Sequence, residues 1–362
     1  MSKRYRPTWA EIHQDHLIYN FDLAQSFVPH KTIIPVIKAN AYGHGAIEVM
    51  KILYDHGIRI CAVSLLEEAL ELRKVFKDIT IIMLGAALKQ DLAVISKYHI
   101  EMTIYDQEII KDIAQFKKPL ICHLKIDTGM SRYGLTDQSD IEEAIQMLQD
   151  NPNVHIKGIY THFATSDKKD AHFERQVQTF KTLLSRLSLK PEVIHMSNSS
   201  SIFQSEHGFD FTTHVRLGIS LYGLSLDDPK PLLKPVMSLK SKIIQVKHLK
   251  KGDKVGYGAT YVAEDDMIIG ICPIGYADGF IRRNKTGYVE IHQKKYKIIG
   301  IICMDALFIK IDAHVKKLDT VTLFGNMITI DDVAQRLNTI NYEVVTNISN
   351  RVPRVIVKGE SS

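Results

Sequence analysis

The stretch TIIPVIKANAYGHG, residues Thr32 to Gly45, decides the expected fold of this chain. Its apolar half, up to Ile37, is typical of a strand that is buried on both faces in a parallel sheet. Lys38 follows at the carboxyl end of that strand, where barrel enzymes place their chemistry. Because burial disfavours an ammonium ion, the pattern predicts a lysine poised to form a Schiff base. Taken alone, Lys38 also fits a surface lysine that merely ends a strand.

The residues after Lys38 favour the first interpretation. Tyr42 offers a phenol, and Gly43 and Gly45 allow close approach of the backbone, a few positions beyond the amine. An anionic aldehyde cofactor needs donors of this kind next to a lysine. The stretch therefore predicts a site for such a cofactor.

Length and composition indicate a globular protein of two domains. The chain has 362 residues, 45% of them hydrophobic and 24% charged, and exceeds the size at which one hydrophobic core usually stops growing. Its net charge of +5 is dispersed without a basic block, so we expect no nucleic-acid partner. No apolar run is long enough for a membrane, and no hydrophobic leader follows the start MSKRYRPTWAEIH. We expect a cytoplasmic protein with no membrane partner.

The cysteines are far apart in the sequence. Cys61, Cys122, Cys272 and Cys303 each lie in an apolar stretch and form no C-x-x-C pair. Each is expected to be a buried free thiol, and we expect no disulfide and no metal site.

The first part of the chain, up to Arg216, alternates short apolar runs with amphipathic stretches. This rhythm predicts βα units around a parallel sheet. Because no G-x-G-x-x-G follows the first strand, it favours a (β/α)8 TIM-type barrel over a doubly wound sheet. Strands are expected at 32–37, 58–63, 79–84, 101–104, 120–126, 155–161, 193–196 and 213–217, and helices at 65–75, 88–97, 107–115, 141–149 and 171–187.

Beyond Leu226 the pattern becomes strand-like. The Pro-rich segment from Asp227 to Pro231, followed by Pro235, predicts a linker. Strands are expected at 237–246, 267–272, 288–292, 297–303, 307–311 and 320–324, with one helix at 330–337 that Thr329 caps. We therefore predict a barrel domain over residues 1–228 and a β-rich domain over 229–362. The opening residues of the chain are a candidate extra strand of the second domain.

Polar clusters follow several of the predicted barrel strands. Lys125 and Arg132 follow the fifth strand, His162 the sixth, the run NSSS at 198–201 the seventh, and RLG at 216–218 ends the eighth. Loops after the seventh and eighth strands of barrels often bind phosphate through hydroxyls and glycine amides. Taken singly, these clusters also fit a capped turn, a structural histidine and a helix cap. Together with a lysine amine they indicate pyridoxal phosphate (PLP).

Nine motifs along the sequence resemble those of a known family. They are, in order, VIKANAYGHG, KIDTGMSRYG, THFAT, NSSS, VRLGISLYG, VGYGATY, PIGYADG, GIICMD and ISNRVPR. Together they resemble alanine racemase, a PLP enzyme with a barrel and a β-domain that interconverts L-alanine and D-alanine for peptidoglycan synthesis. The likeness runs from Trp9 to Arg354. It implies a homodimer in which the β-domain of one subunit completes the active site in the barrel of its partner.

The resemblance also assigns roles to residues. Lys38 would hold the cofactor and act as one catalytic base, and Tyr257 would be the opposing base. Arg132 and the backbone amide of Met304 would bind the substrate carboxylate. The implied cofactor contacts are Tyr42, His162, Asn198, Ser199, Arg216, Gly218, Ile219 and Tyr276, and the implied supporting residues are Lys125, Asp305 and Asn350.

Some of these roles carry a mechanistic consequence. Arg216 would face the pyridine nitrogen and keep its own proton, which makes the ring a weaker electron sink. His162 would connect Arg216 to Tyr257, and the positive surroundings would lower the pKa of that phenol. Lys125 matches a lysine that is often carboxylated in the family, which would give an anion that orients Arg132.

One position departs from the pattern of the family. Asn350 stands where many members carry a tyrosine that touches the phosphate and walls the substrate pocket. The smaller amide leaves room for a hydroxymethyl group, so a serine or broad-specificity racemase of the same fold is the first alternative. The others are a non-catalytic PLP-binding barrel, which resembles only the barrel half, and a Schiff-base aldolase without a cofactor.

Overall fold

The computed structural model describes residues 5–204, 209–227 and 232–359. Residues 228–231, most of the Pro-rich segment predicted as a linker, lie outside these ranges. The described chain divides into two compact units. The barrel unit comprises the described residues of Ile18–Ala41 and Val49–Leu233, and the β unit comprises those of Met1–Leu17, Tyr42–Glu48 and Lys234–Ser362. The domain limits 1–228 and 229–362 stay a prediction.

Strands and helices alternate in the first part of the chain, and strands dominate the last part. The strands are β1 (Thr8–His13), β2 (Thr32–Pro35), β3 (Ile60–Val63), β4 (Thr80–Met83), β5 (Glu101–Ile104), β6 (Leu120–Lys125), β7 (Val154–Tyr160), β8 (Val193–His195), β9 (His214–Leu217), β10 (Met237–Lys242), β11 (Gln245–Leu249), β12 (Lys254–Val255), β13 (Tyr261–Val262), β14 (Met267–Cys272), β15 (Tyr288–Ile291), β16 (Lys294–Ile299), β17 (Leu307–Ile311), β18 (Thr320–Phe324) and β19 (Arg354–Val357). The helical segments are α1 (Gln14–Phe27), α2 (Lys38–Tyr42), α3 (Ala46–Asp55), α4 (Leu66–Val75), α5 (Leu92–Lys97), α6 (Gln107–Ala114), α7 (Gln138–Gln149), α8 (Ala171–Arg186), α9 (Ser199–Gln204), α10 (Ile330–Leu337) and α11 (Asn341–Thr346). Every helix in the described ranges is too short or too polar to pass through a bilayer.

The barrel unit is built on a parallel sheet in the order β2-β9-β8-β7-β6-β5-β4-β3. The two ends of this order meet, because Val36 forms a bridge with Ala62 and the N–H of Ile37 donates to the Ala62 carbonyl at 2.8 Å. Strand residues such as Ile34 and Ile81 are fully buried, as expected where helices cover the outside and side chains fill the inside. The predicted TIM-type barrel is confirmed.

One irregularity lies between β6 and β7. Their register shifts, which leaves Lys157 as an extra residue before the pair of His123 and Gly158. A Cβ on Gly158 would lie 2.1 Å from the Nδ1 of His123, so glycine is needed opposite that ring. The Nε2 of His123 contacts one carboxylate oxygen of Glu101 at 2.7 Å, and the amine of Lys157 donates to the other. The bulge thus places a buried ion network inside the barrel unit.

The β unit contains a sheet in the order β11-β14-β17-β16-β15-β18-β10-β1-β19 and the small pair β12-β13. β1 pairs antiparallel with β10 and parallel with β19. The other strand pairs of this sheet, such as β14 with β17, are antiparallel. The strand that precedes the barrel therefore belongs to this sheet.

The observed elements differ from the expected ones in a few places. The run 237–246 forms two strands, β10 and β11, and the strand expected at 297–303 is β16, which ends before Gly300 turns to a φ of 65°. The pattern predicts one helix near the end of the chain, yet α11 follows α10. Val344 and Val345 are weak helix formers, but both are buried, so packing decides their conformation. The cysteines are free thiols, and Cys303 is partly exposed rather than buried.

Candidate active site

Lys38 begins an unusual turn. Because β2 ends at Pro35, the lysine stands beyond the strand rather than at its last position. The residues from Ala39 to Tyr42 all have φ between 50° and 54°, which is a left-handed turn. Such backbone costs about 1–2 kcal/mol per residue for side chains other than glycine, so its surroundings must hold it. One support is Glu68, whose carboxylate accepts the N–H of Ala39 at 2.6 Å.

The amine of Lys38 lies in positive surroundings. Burial lowers its pKa, and the charges of Arg132 and Arg216 lower it further, while Glu68 raises it. A lowered pKa increases the fraction of neutral amine, which is the nucleophilic form. Lys38 is therefore suited to attack a carbonyl carbon.

The guanidinium of Arg216 is 3% exposed and is held from several sides. It donates to the carbonyls of Thr161 at 2.8 Å and Met196 at 3.0 Å. It also contacts the Nδ1 atoms of His162, at 3.0 Å, and His195. Since a guanidinium only donates, both Nδ1 atoms accept, and both rings carry their proton on Nε2. Burial, with Arg216 next, lowers the pKa of both histidines well below the usual value.

His162 marks the place where the positive side chains of the barrel unit meet. After burial, its pKa is lowered by Arg216, Lys125, Arg132 and Lys38, in that order. Two of these cations, Lys125 and Arg216, are buried, and buried charges of one sign are costly unless an anion joins them. The pocket is therefore suited to a ligand with several negative oxygens.

The segment after β6 carries two of these cations. Lys125 is 5% exposed, and its amine donates to the Ile126 carbonyl at 2.9 Å. Burial, followed by the charge of Arg216, lowers the pKa of Lys125 to about 7. The carboxylate of Asp127 accepts backbone N–H groups from the loop that ends at Arg132, at 2.9 to 3.1 Å. Asp127 thus shapes the loop, and its carboxylate already accepts hydrogen bonds from backbone amides.

Hydroxyls and amides converge after β8 and β9. The Oγ of Ser199 accepts from the N–H groups of Gly218 at 3.0 Å and Ser220 at 3.3 Å. The buried hydroxyl of Ser220 has no hydrogen-bond partner within the described part of the chain. Asn198 caps α9, and Ile219 is buried beside the cradle. This arrangement can bind the oxygens of a phosphate.

Tyr42 belongs to the β unit with the segment that follows it. Its ring meets that of Tyr342 edge to face, with centroids 6.3 Å apart. Burial raises the pKa of the Tyr42 phenol. The phenol therefore keeps its proton at neutral pH and can donate it to an acceptor.

Three other candidates of the β unit share one region. Tyr257 is 72% exposed, Met304 52% and Tyr276 41%. The N–H of Tyr276 donates to the Cys303 carbonyl at 3.1 Å, and the backbone of Tyr257 hydrogen bonds to the Cys303 thiol. A group of exposed apolar side chains around one short segment is typical of a surface that another protein covers.

Asp305 and Asn350 lie next to this region. Arg351 donates to the carboxylate of Asp305 at 2.6 Å, and the N–H of Ser349 donates to the Asp278 carbonyl at 3.1 Å. Asn350 stands between these two anchored neighbours. The structure thus brings together, within the β unit, the site residues predicted on segments that are far apart in sequence.

Two residues with clear structural roles have no role in the sequence interpretation. His195 holds Arg216, and its ring stacks on Tyr160 with centroids 4.6 Å apart. Asp127 orders the loop of Arg132. Both stand at the carboxyl ends of barrel strands, which is the signal that identified Lys125 and His162.

The fold and the site define a class of protein. A closed parallel barrel that carries a partly buried lysine, several cationic side chains and a group of hydroxyls at the carboxyl ends of its strands has the layout of barrel enzymes that handle anionic ligands.

Comparisons with known proteins identify the family within this class. Residues 12–226 match the family "Alanine racemase, N-terminal domain" and residues 236–356 match "Alanine racemase, C-terminal domain". The alanine racemase of Anoxybacillus flavithermus is 39% identical over 99% of this chain and 96% of its own. The structure of alanine racemase from Bacillus anthracis with bound L-Ala-P has a TM-score of 0.92 at 31% identity, over 99% and 97% of the two chains. A histidine racemase from Leuconostoc mesenteroides has a TM-score of 0.91 at 28% identity, over 98% and 99%.

The chain belongs to the alanine racemase family, a family of isomerases.

Proposed function

We propose that this chain interconverts L-alanine and D-alanine by a two-base proton transfer with PLP held on Lys38. The observation that carries the proposal is the burial of two cations, Lys125 and Arg216, with the Nδ1 of His162 3.0 Å from Arg216; the charges of Arg132 and Lys38 also lower the pKa of His162. These cations need an anionic partner, and PLP brings a phosphate and a phenolic oxygen.

The donors of the barrel unit fit this cofactor. The hydroxyls of Ser199 and Ser220 suit the phosphate as donors, while the N–H of Gly218 orients the Ser199 hydroxyl and Ile219 lies beside them. The carboxylates near the cations already accept hydrogen bonds from backbone amides. Asp127 accepts them from its own loop, and Glu68 accepts them from Ser64, Leu65 and Ala39. Both carboxylates keep their charge and offset part of the positive charge, but the four cations outnumber them, so positive charge remains for the oxygens of the cofactor. When bound, PLP supplies an aldehyde carbon for the lysine and a conjugated ring that withdraws electrons from the substrate Cα.

The protein groups divide the remaining work. Arg216 would donate a hydrogen bond to the pyridine nitrogen of the cofactor and keep its own proton. Side reactions that need a protonated pyridine ring would therefore be limited. Arg132 and the backbone amide of Met304 bind the substrate carboxylate, and Tyr42, Asn198 and Tyr276 line the cofactor. In one direction the neutral amine of Lys38 takes the Cα proton from one face while the Tyr257 hydroxyl returns a proton to the other face, and in the reverse direction the two groups exchange these roles.

Lys125 is proposed to carry a carboxyl group on its amine. Its pKa of about 7 leaves much neutral amine at physiological pH, and that form reacts with carbon dioxide. The resulting anion would lie among Arg216 and Arg132, where a negative charge offsets their repulsion. It would orient Arg132 towards the substrate.

We propose a homodimer in which Tyr257, Met304 and Asp305 complete the partner's site. Support comes from the exposure of Tyr257, Tyr276 and Met304 in one region of the β unit. The enzyme would act in the cytoplasm and supply D-alanine for peptidoglycan.

A second candidate function is racemisation of serine or of several amino acids. Asn350 favours it, since an amide is smaller than a phenol and can hydrogen bond to a hydroxyl. The fold is shared with a histidine racemase, so the fold alone does not select the side chain. The β unit with Tyr257 disfavours a PLP-buffering barrel, and the phosphate cradle disfavours a cofactor-free aldolase.

The test is a racemisation assay by circular dichroism with purified protein and added PLP, using alanine, serine and histidine. Alanine should give the highest specificity constant. Turnover of serine or histidine above that of alanine would reverse the assignment, and no turnover of any amino acid would remove the proposed function.

A further inference from the structure

The side chain of Arg354 contacts a set of backbone carbonyls within the β unit. Its Nε and Nη2 donate to the carbonyl of Gly43 at 2.9 and 2.6 Å. Its Nη2 also donates to Ile348 at 2.6 Å, and its Nη1 donates to Ser349 and Val352, both at 2.7 Å. One planar side chain thus ties the residue after Tyr42 to the segment between α11 and β19.

The contact between these segments is close on the backbone as well. Gly43 has a φ of 82°, and a Cβ there would lie 2.0 Å from the carbonyl oxygen of Val345. The ring of Tyr42 meets that of Tyr342 on the same helix, α11. The Nδ1 of His44 contacts the Tyr42 carbonyl at 3.0 Å. Gly43 is therefore seated against α11 and held there by Arg354.

The segment so held needs external support. Tyr42 is the last residue of the left-handed turn that starts after Lys38, and such a turn relaxes unless its ends are fixed. Glu68 supports the beginning of the turn at Ala39, within the barrel unit. Arg354 supports the chain immediately beyond its other end, within the β unit.

We propose that Arg354 is a positioning residue for the cofactor: by holding the Gly43 carbonyl, it fixes the direction of the Tyr42 phenol towards the phosphate. This inference rests on the proposed function, in which Tyr42 donates to that phosphate. A lysine at position 354 keeps the charge but loses the planar fork that spans several carbonyls. The phenol then samples other directions, and the cofactor loses a preorganised donor.

The chain contains a matched control for this substitution. Arg73 of the barrel unit is buried and, like the partly buried Arg354, donates to backbone carbonyls, those of Tyr98, Phe76, Lys77, Ile79 and His99. It is not among the proposed site residues. Its replacement by lysine removes a comparable set of hydrogen bonds without touching the turn.

The experiment measures the dissociation constant of PLP for the full chain and for Arg354→Lys and Arg73→Lys, together with the melting temperature and the ³¹P spectrum of the bound cofactor. Both variants should melt at lower temperature. Only Arg354→Lys should weaken PLP binding, by about tenfold or more, and shift the phosphate resonance. A dissociation constant within about twofold of the wild type, with the same loss of melting temperature as Arg73→Lys, would show that Arg354 is only structural.

The outcomes separate this inference from the proposed function. If the wild-type chain binds no PLP, the proposed function fails; if it binds PLP and Arg354→Lys binds it equally well, only the inference fails. If Arg354→Lys does not fold, hydrogen exchange of the wild-type chain decides. Binding of PLP should then slow exchange in 341–347 as well as in 42–48, because coupling is reciprocal. Unchanged hydrogen exchange in 341–347 would overturn the proposed positioning role of Arg354.

Discussion

The guanidinium of Arg216 lies 3.0 Å from the Nδ1 of His162 and holds the Nδ1 of His195 on its other side. The Nδ1 atom of each ring must accept a hydrogen bond from a permanent cation, so both imidazoles must be neutral. The folded barrel therefore binds fewer protons at acid pH than the unfolded chain does. Stability and site geometry are linked through these two contacts.

The first prediction concerns the pH dependence of stability. An unfolded histidine has a pKa of about 6.5, whereas burial lowers the pKa of folded His195 well below it. Below pH 6.5 the unfolded chain binds more protons, so the stability present above that pH is lost as the pH falls, by about 1.4 kcal/mol per pH unit for each such histidine. In His195→Gln, the amide oxygen still accepts from Arg216 but does not titrate. Denaturant unfolding between pH 5 and 8 should show a smaller slope below about pH 6.5 in this variant; equal slopes would contradict the neutral ring.

The second prediction concerns Lys38. The purified protein should be yellow, and borohydride should fix the cofactor to a peptide that contains Lys38. Lys38→Ala should lose this adduct and nearly all racemisation, because no amine remains at that position. The lysine at 125 is the control, since Lys125→Gln should keep the adduct on Lys38. An adduct elsewhere with normal turnover in Lys38→Ala would refute the assignment.

The third prediction concerns Tyr257 and the dimer. Tyr257→Phe should keep the cofactor spectrum and lose most activity in both directions, because one face of Cα lacks its base. We propose that Lys38 serves D-alanine and Tyr257 serves L-alanine, so proton exchange in deuterated solvent should survive better from D-alanine. Equal loss of exchange from both enantiomers would argue against two bases.

Mixing subunits tests the shared site. When Lys38→Ala and Tyr257→Phe chains exchange at random, half of the dimers are mixed and each has one complete site, so about a quarter of the wild-type activity should return. Tyr288→Phe, another exposed tyrosine of the β unit, is the matched control and should leave activity unchanged. No recovery after verified exchange would mean that each site is built within one chain.

The fourth prediction concerns Asn350. Asn350→Tyr should lower the ratio of the serine to the alanine specificity constant by about tenfold, since a phenol fills space and removes the amide that pairs with a hydroxyl. Alanine should remain the better substrate in both proteins. An unchanged or higher ratio in the variant would show that Asn350 does not set the specificity.

The sequence predicted the barrel because its strands are continuous apolar runs separated by helical patterns, as in the stretch before Lys38. It also predicted that Lys125, His162 and Ser199 stand at or just beyond the carboxyl ends of barrel strands, which is where the structure has them, while their roles stay a prediction. It did not predict the left-handed turn from Ala39, because alanine, asparagine and tyrosine all disfavour that backbone and only tertiary contacts impose it. Nor did it predict α11, whose conformation depends on packing rather than on helix propensity.

The extra residue in β7 is absorbed without changing the pairing beyond it. Cys122 pairs with Ile156 and His123 with Gly158, so Lys157 lies outside the ladder and Tyr160 still pairs with Lys125. Paired residues of neighbouring strands point to the same face of a sheet, so Tyr160 shares the face of Lys125 whether or not the bulge is present. A deletion of Lys157 alone would therefore regularise β7 and leave Tyr160 stacked on His195, and its direct cost would be the contact between Lys157 and Glu101.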